Sequence, residues 1–251
     1  MAAIYPDLSG KVVIVTGGAG GIGEAIGRSF LRQGCRVGVL DLDAQRGEAL
    51  QAELGEAGAF QFVECDLTDI PTLKAAIRQV RERFGAIDIL INNAANDQRH
   101  DTLEVTEDYW DGRIAVNLRH QFFAAQAVLP EMMEKQAGVI LNLGSNSWMI
   151  GQGGMVAYTA CKSAVLGLTR SLARDFGPHG VRVNAVAPGW IMTERQLELW
   201  VTPETEQEIY DRQCLKRKLV PDDIANFVVF MASEDAGACT NQHYVVDGGW
   251  V

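Results

Sequence analysis

Apolar residues recur along the chain in two periods that take turns. Lys11–Thr16 (KVVIVT) is short, apolar and β-branched without alternation, which predicts a strand buried on both faces. The residues that follow a glycine cluster, EAIGRSFLRQG, carry helical spacing, and Gly34 ends it. The same exchange repeats. Strands are predicted at Cys35–Leu40, Phe60–Glu64, Ile87–Ile91, Val139–Leu143, Val181–Val186 and Tyr244–Val246. Helices are predicted at Asp43–Ala57, Asp69–Phe84, Val156–Phe176 and Pro221–Ser233, with one long helical region from Thr106 to Lys135 whose end Pro130 kinks. Strand and helix in strict exchange predict an α/β fold: a doubly wound parallel sheet of seven strands with helices on both faces. With 251 residues and no repeat, low-complexity stretch or linker, residues 1–251 read as a single dinucleotide-binding and catalytic domain.

The turn after the first strand is Gly17-Gly18-Ala19-Gly20-Gly21-Ile22-Gly23. Between a strand and a helix, such glycines let the backbone approach a pyrophosphate, and the helix N-terminus favours its charge. Asp41 stands at the end of the second strand, eighteen residues after Gly23, near the spacing at which an acid takes ribose hydroxyls. A carboxylate there repels a 2′-phosphate, and the neighbours Leu42 and Asp43 offer no cation, so NAD is expected over NADP. Asp41 alternatively caps the next helix.

Tyr158 and Lys162 are four residues apart and share one helix face. An ammonium beside a phenol favours the phenolate. Tyrosine ionises near ~10, and a base useful at neutral pH needs that lowered by about three units, or roughly 4 kcal/mol. Ser145 adds a second hydroxyl to the same reacting oxygen. A tyrosine and a lysine at this spacing also occur on ordinary surface helices. Placement decides between the two readings. Gly17, Asp41, Asp66, Asn92, Ser145 and Pro188 all fall at or just after the carboxyl end of a predicted strand, the edge where such sheets bind ligands.

Charge and cysteines narrow the setting. The formal net charge of −10 disfavours nucleic acid and anionic membrane as partners. The five cysteines are odd in number and no pair has metal-ligand spacing, so no metal is expected and reduced thiols in a cytoplasmic protein are the simplest reading. The N-terminal residues do not read as a signal peptide.

Thr16–Gly23, Asp66, Asn92-Asn93-Ala94-Ala95, Asn117, Ser145, Tyr158-Thr159-Ala160-Cys161-Lys162 and Pro188-Gly189 together resemble the short-chain dehydrogenase/reductase family over essentially the whole chain. Ala95 stands where that family usually has glycine, and Cys161 where it has serine or another small residue. Cys161 reads as a packing residue, since no histidine lies near it. Asn96–His100, Asn117–His120, Ser145–Trp148, Pro188–Glu204 and Asp247–Trp250 resemble more narrowly the bacterial NAD-dependent aldose 1-dehydrogenases of the D-galactose and D-xylose type.

The resemblance implies C1 oxidation of an aldose to the aldonolactone. Tyr158 is then the base, Lys162 lowers its pKa, Ser145 holds the substrate oxygen, and Asn117 positions a water that passes the proton outward. It implies NAD contacts at Gly17, Gly20, Gly21, Ile22, Gly23, Asp41 and Leu42, and at Asp66, Leu67, Asn93, Ala94 and Ala95. Tyr158, Lys162, Pro188, Gly189, Ile191 and Thr193 complete that set. Substrate contacts are expected from Asn96, Ser145, Asn146, Trp148, Gln152, Met155, Tyr158, Trp190 and Arg195, with Asp97, Arg99 and His100 near by. Residues 190–215 read as a lid over the substrate, and a homotetramer is implied. A polyol or 3-oxoacyl thioester enzyme would keep the same catalytic residues. A nucleotide sensor of this fold would be expected to lose Tyr158 or Lys162.

Overall fold

Every residue of β1 (Val12–Thr16) is buried, which is why its sequence does not alternate. Its side chains still alternate in space. Val13 and Val15 join one core layer and Val12 and Ile14 the other. The computed structural model describes residues 3–251. The further strands are β2 (Arg36–Asp41), β3 (Phe60–Glu64), β4 (Ile89–Asn92), β5 (Gly138–Leu143), β6 (Val181–Pro188) and β7 (His243–Val246). They form one parallel sheet in the order β3-β2-β1-β4-β5-β6-β7. The order reverses beside β1, so the loops after β1 and β4 diverge and leave a crevice between them. Register pairs Thr16 with both Leu40 and Asn92, and Asn92 with Asn142, so the strands end level.

Helices cover both faces. On one lie α1 (Gly21–Arg32), α2 (Ala44–Leu54) and α9 (Pro221–Ala232), whose Ile26, Phe30, Leu50 and Val228 share a core with Val13 and Val15. On the other lie α3 (Ile70–Phe84), α5 (His120–Lys135) and α6 (Val156–Phe176), whose Leu73, Val128 and Leu172 pack with Val12 and Ile14. α4 (Glu107–Ile114), α7 (Glu194–Leu199) and α8 (Pro203–Arg212) lie towards the strands' carboxyl edge. A polar cross-link ties the second layer together. Asn92 Nδ2 donates to Asn142 Oδ1 at 2.8 Å, and Asn142 Nδ2 donates to Thr169 Oγ1 of α6 at 3.0 Å. Both asparagines are fully buried, and the two bonds satisfy Asn92 Nδ2 and both ends of the Asn142 carboxamide.

Two helix expectations need adjustment. The second helix stops at Leu54 rather than Ala57. The region from Thr106 to Lys135 is not one α-helix, because a π-turn at Ala115–Arg119 separates α4 from α5. Pro130 lies inside α5, which continues past it to Lys135. Among the described residues, no helix is long and apolar enough to cross a membrane.

Candidate active site

The loops at the strands' carboxyl ends enclose one cavity of about 800 Å3. Gly17, Asp41, Asp66, Asn93, Ser145 and Pro188, each from a different strand end, line it. Asn92 itself turns inward to the Asn142 cross-link, and Asn93 takes the outward place.

The glycine turn is built by close approach. Gly17 has φ +65°, and a Cβ there would lie 2.6 Å from the Ala94 Cα. Gly21 opens α1 at φ +56°, and a Cβ there would meet Thr193 Cγ2 at 3.2 Å. Asn93 locks the turn, with Nδ2 donating to the Thr16 and Gly17 carbonyls at 3.0 and 2.8 Å. The N-terminus of α1 has no side-chain cap, so its amides face the cavity end uncovered by protein carboxylates. Asp41 braces the turn: one carboxylate oxygen accepts from the Ala19 N–H at 2.9 Å and the other from the Asp43 N–H at 3.1 Å. The cap of α2 is Asp43, which accepts from the Arg46 N–H. A glycine cradle that any Cβ would fill, at a bare helix N-terminus, fits the pyrophosphate of a dinucleotide.

At the other end stand Ser145, Tyr158 and Lys162. Lys162 is 2% exposed, and its Nζ donates to the Leu143 carbonyl at 2.7 Å while lying 5.6 Å from the Tyr158 ring centroid. Burial lowers its pKa to about 8, partly opposed by Cys161 and Asp97. Tyr158 keeps some surface open to the cavity, yet burial pushes its hydroxyl above the usual phenol value. The Asp97 charge raises it further, and the Ser145 hydroxyl pulls it down. In this geometry the lowering comes from the Ser145 hydroxyl rather than from the Lys162 charge, and burial outweighs it.

Of the other anticipated cofactor residues, Gly20, Ile22, Leu42, Leu67, Ala94, Ala95, Gly189, Ile191 and Thr193 line the cavity. Gly23 does not. A Cβ there would overlap the Gly17 carbonyl oxygen and approach Asn93 Nδ2 at 2.6 Å, so its part is to let α1 close on the turn. Asn117 does not line it either. It is fully buried, Oδ1 accepts from the Asn96 N–H at 2.8 Å, and Nδ2 donates to the Asn96 and Arg113 carbonyls. Its carboxamide therefore sets the course of the loop after β4.

Of the anticipated substrate residues, Asn96, Asn146, Gln152, Met155, Trp190 and Arg195 line the cavity with Ser145 and Tyr158. Trp148 departs from expectation. It points away from the cavity to stack on His243 of β7, centroids 6.1 Å apart. His100 also turns aside, Nδ1 meeting the Tyr109 hydroxyl at 3.0 Å. Asp97 and Arg99 do line the cavity. Asp97 accepts from Gln196 Nε2 at 2.6 Å and meets Arg195 Nε at 3.3 Å. The Arg99 guanidinium lies over both Trp200 and Trp190, 4.8 and 5.6 Å from their centroids. Arg46, Arg113, Glu194, Gln196 and Trp250 line the cavity without having been anticipated. Arg46 carried one legible signal, its place in the first turn of the helix that follows Asp41.

A sheet of this order with a serine, a tyrosine and a lysine at its carboxyl edge defines a class, and comparison with known proteins agrees. Residues 17–251 match the family model described as enoyl-(acyl carrier protein) reductase, and the chain belongs to the short-chain dehydrogenase/reductase family. It is 45% identical over 250 residues to D-xylose 1-dehydrogenase of Caulobacter vibrioides, covering 99% of each chain. It is 42% identical to the probable galactose dehydrogenase GalD of Rhizobium meliloti, covering 98% of this chain and 96% of that one. It is 36% identical to D-threitol dehydrogenase of Mycolicibacterium smegmatis over 97% and 94% of the two chains. The crystal structure of gox2181 superposes with a TM-score of 0.92 at 33% identity, covering 98% of each chain. The chain is an oxidoreductase of the dehydrogenase kind, and its family takes a nicotinamide cofactor.

Proposed function

We propose that this enzyme oxidises an aldose, D-xylose, D-galactose or a related sugar, at C1 to the aldonolactone with NAD. The observation that carries this is the cavity itself, where Ser145, Tyr158 and Lys162 share one end with a wall that is both polar and aromatic. A sugar has hydroxyls to bond and an apolar ring face to stack, and Asn96, Asn146, Gln152 and Arg195 beside Trp190 suit both. Two relatives similar over nearly their whole length are named for xylose and galactose.

Ser145 holds the anomeric oxygen and Tyr158 takes its proton. Burial raises Tyr158 and the Ser145 hydroxyl lowers it, and to the Lys162 ammonium over its ring we assign the positive charge that favours the phenolate. NAD, when bound, supplies the hydride acceptor. Gly17, Gly20 and Gly21 would take its pyrophosphate and Asp41 its ribose hydroxyls, and the charge of Asp41 favours NAD over NADP. With the Asn117 carboxamide spent on Asn96 and Arg113, its part is to hold the loop after β4 in place rather than to carry a water on its side chain. Residues 190–215 act as a lid. Gln196 and Arg195 on Asp97, and Trp190 and Trp200 on Arg99, are the contacts that latch it. Five free cysteines suit a reducing cytoplasm. A homotetramer accounts for the apolar exposure of Leu103, Trp110 and Phe122 along 102–122, and light scattering giving four copies tests it.

The test is an initial-rate panel of D-xylose, D-galactose, L-arabinose, D-glucose and the polyol threitol with NAD and NADP, run beside Tyr158→Phe. The expected result is sugar-dependent NADH formation in the parent. Tyr158→Phe should lose at least ~10³-fold in kcat while still binding NADH. A variant keeping most of its kcat removes Tyr158 as the base. A preference for threitol over every sugar replaces the aldose by a polyol.

A further inference from the structure

The mouth of the cavity is crossed by one ion pair. Arg46, in the first turn of α2, meets Glu194, the first residue of α7, with Nη2 to Oε2 at 2.6 Å. The partners are 148 residues apart, and both line the cavity. Arg46 lies against the glycine turn: its Nη1 is 3.0 Å from where a Cβ on Gly20 would stand. It follows Asp41, Leu42 and Asp43 on the wall of the cavity where the adenosine ribose is placed by the proposed function. A guanidinium in that position is a ready partner for a 2′-phosphate, since its planar fork matches phosphate oxygens.

In this protein that cation is already spoken for. Glu194 takes Nη2, Asp43 Oδ2 stands 3.6 Å from Nε, and Glu198 adds negative charge from the next turn of α7. Asp41 is engaged with the Ala19 and Asp43 amides and keeps its charge on the same wall. Repulsion by Asp41 alone does not exclude a 2′-phosphate where an uncommitted arginine stands one helical turn away. Exclusion is complete only if the arginine is neutralised as well. We propose that Glu194 is a cofactor-selectivity residue, which by pairing with Arg46 withholds from a 2′-phosphate the cation that would receive it.

The inference rests on the reading of this end of the cavity as the adenosine site, and the experiment separates the two. The Arg46 and Glu194 side chains are 50% and 63% exposed, and such a pair contributes little to folding, so it can be broken without loss of the protein. NADH and NADPH are titrated by nucleotide fluorescence into the parent, Glu194→Gln, Arg46→Gln and the double variant. This readout does not depend on which sugar is the substrate. Glu194→Gln is expected to move the ratio of NADPH to NADH affinity towards NADPH by at least tenfold, and the double variant to lose that gain. The gain should shrink as salt is raised, since it is a charge on a phosphate. A ratio unchanged within twofold in Glu194→Gln, or a gain that survives removal of Arg46, overturns the role of Glu194. If the parent binds neither nucleotide, the adenosine site itself falls, and this inference with it.

Discussion

His120 makes an acid liability that can be calculated. It opens α5 directly after the π-turn and is fully buried, with neither ring nitrogen in a well-formed hydrogen bond. Burial lowers its pKa from 6.5 to about 3; the Lys162 charge adds to this, and the Ala115 and Val116 carbonyls oppose it. The native ring therefore stays neutral where the unfolded chain takes up a proton. The stability tied to this neutrality is fully present above pH ~6.5 and is lost as pH falls towards about 3. At ~1.36 kcal/mol per unit, the loss between pH 7.5 and pH 5.0 is about 2 kcal/mol. His120→Gln and His120→Leu remove the titration and leave every other ionisable group in place. Urea unfolding of parent and variants at both pH values, at one protein concentration, isolates the difference. The parent should lose about 2 kcal/mol more than either variant over that interval. Parallel losses, within ~0.5 kcal/mol, would mean that His120 is protonated in the folded protein or hydrated, and the reasoning fails.

Three further substitutions bear on the site and its supporting helix. Gly23→Ala should weaken NADH binding by more than tenfold in a fluorescence titration, because its Cβ meets the Gly17 carbonyl and Asn93 Nδ2. Gly27→Ala, four residues on in the same helix and with no atom nearer than 3.8 Å to the new carbon, should bind normally and gain up to ~1 kcal/mol of stability. Asp97→Asn removes a charge that raises Tyr158, so the acid limb of its kcat/KM profile should move to lower pH, while KM for the sugar rises through loss of the Gln196 and Arg195 contacts. An unmoved limb would place Asp97 outside the field of the base.

The architecture was legible because its signals are strong and local. β1 is buried on both faces and reads as an unbroken apolar run, and α3 opens at Asp69-Ile70-Pro71 and closes at Gly85. The strand ends then placed Gly17, Asp41, Ser145 and Pro188 on one edge without any side-chain detail. What failed were features of side-chain direction. Trp148 follows Asn146 and Ser147, which line the cavity, yet turns to β7, and nothing in periodicity separates residues within one turn. Arg46 lies beyond the Asp41-Leu42-Asp43 run that marks the strand end, and only the first turn of α2 carries its side chain back over the glycines. The π-turn was invisible because apolar residues continue through it at nearly helical spacing.

That π-turn is in effect one residue too many in a helix. A single residue rotates everything beyond it by about 100°, so the insertion sets the two halves at different angles about a shared axis. Arg113 can face the cavity while Ala124, Val128 and Met132 face the core, an arrangement one continuous α-helix would not keep. Deleting one residue between 115 and 119 would mend the hydrogen-bond ladder and misaim one half. The helix is thus kept irregular at the cost of local regularity, and mutational libraries should tolerate substitutions there far better than changes of length.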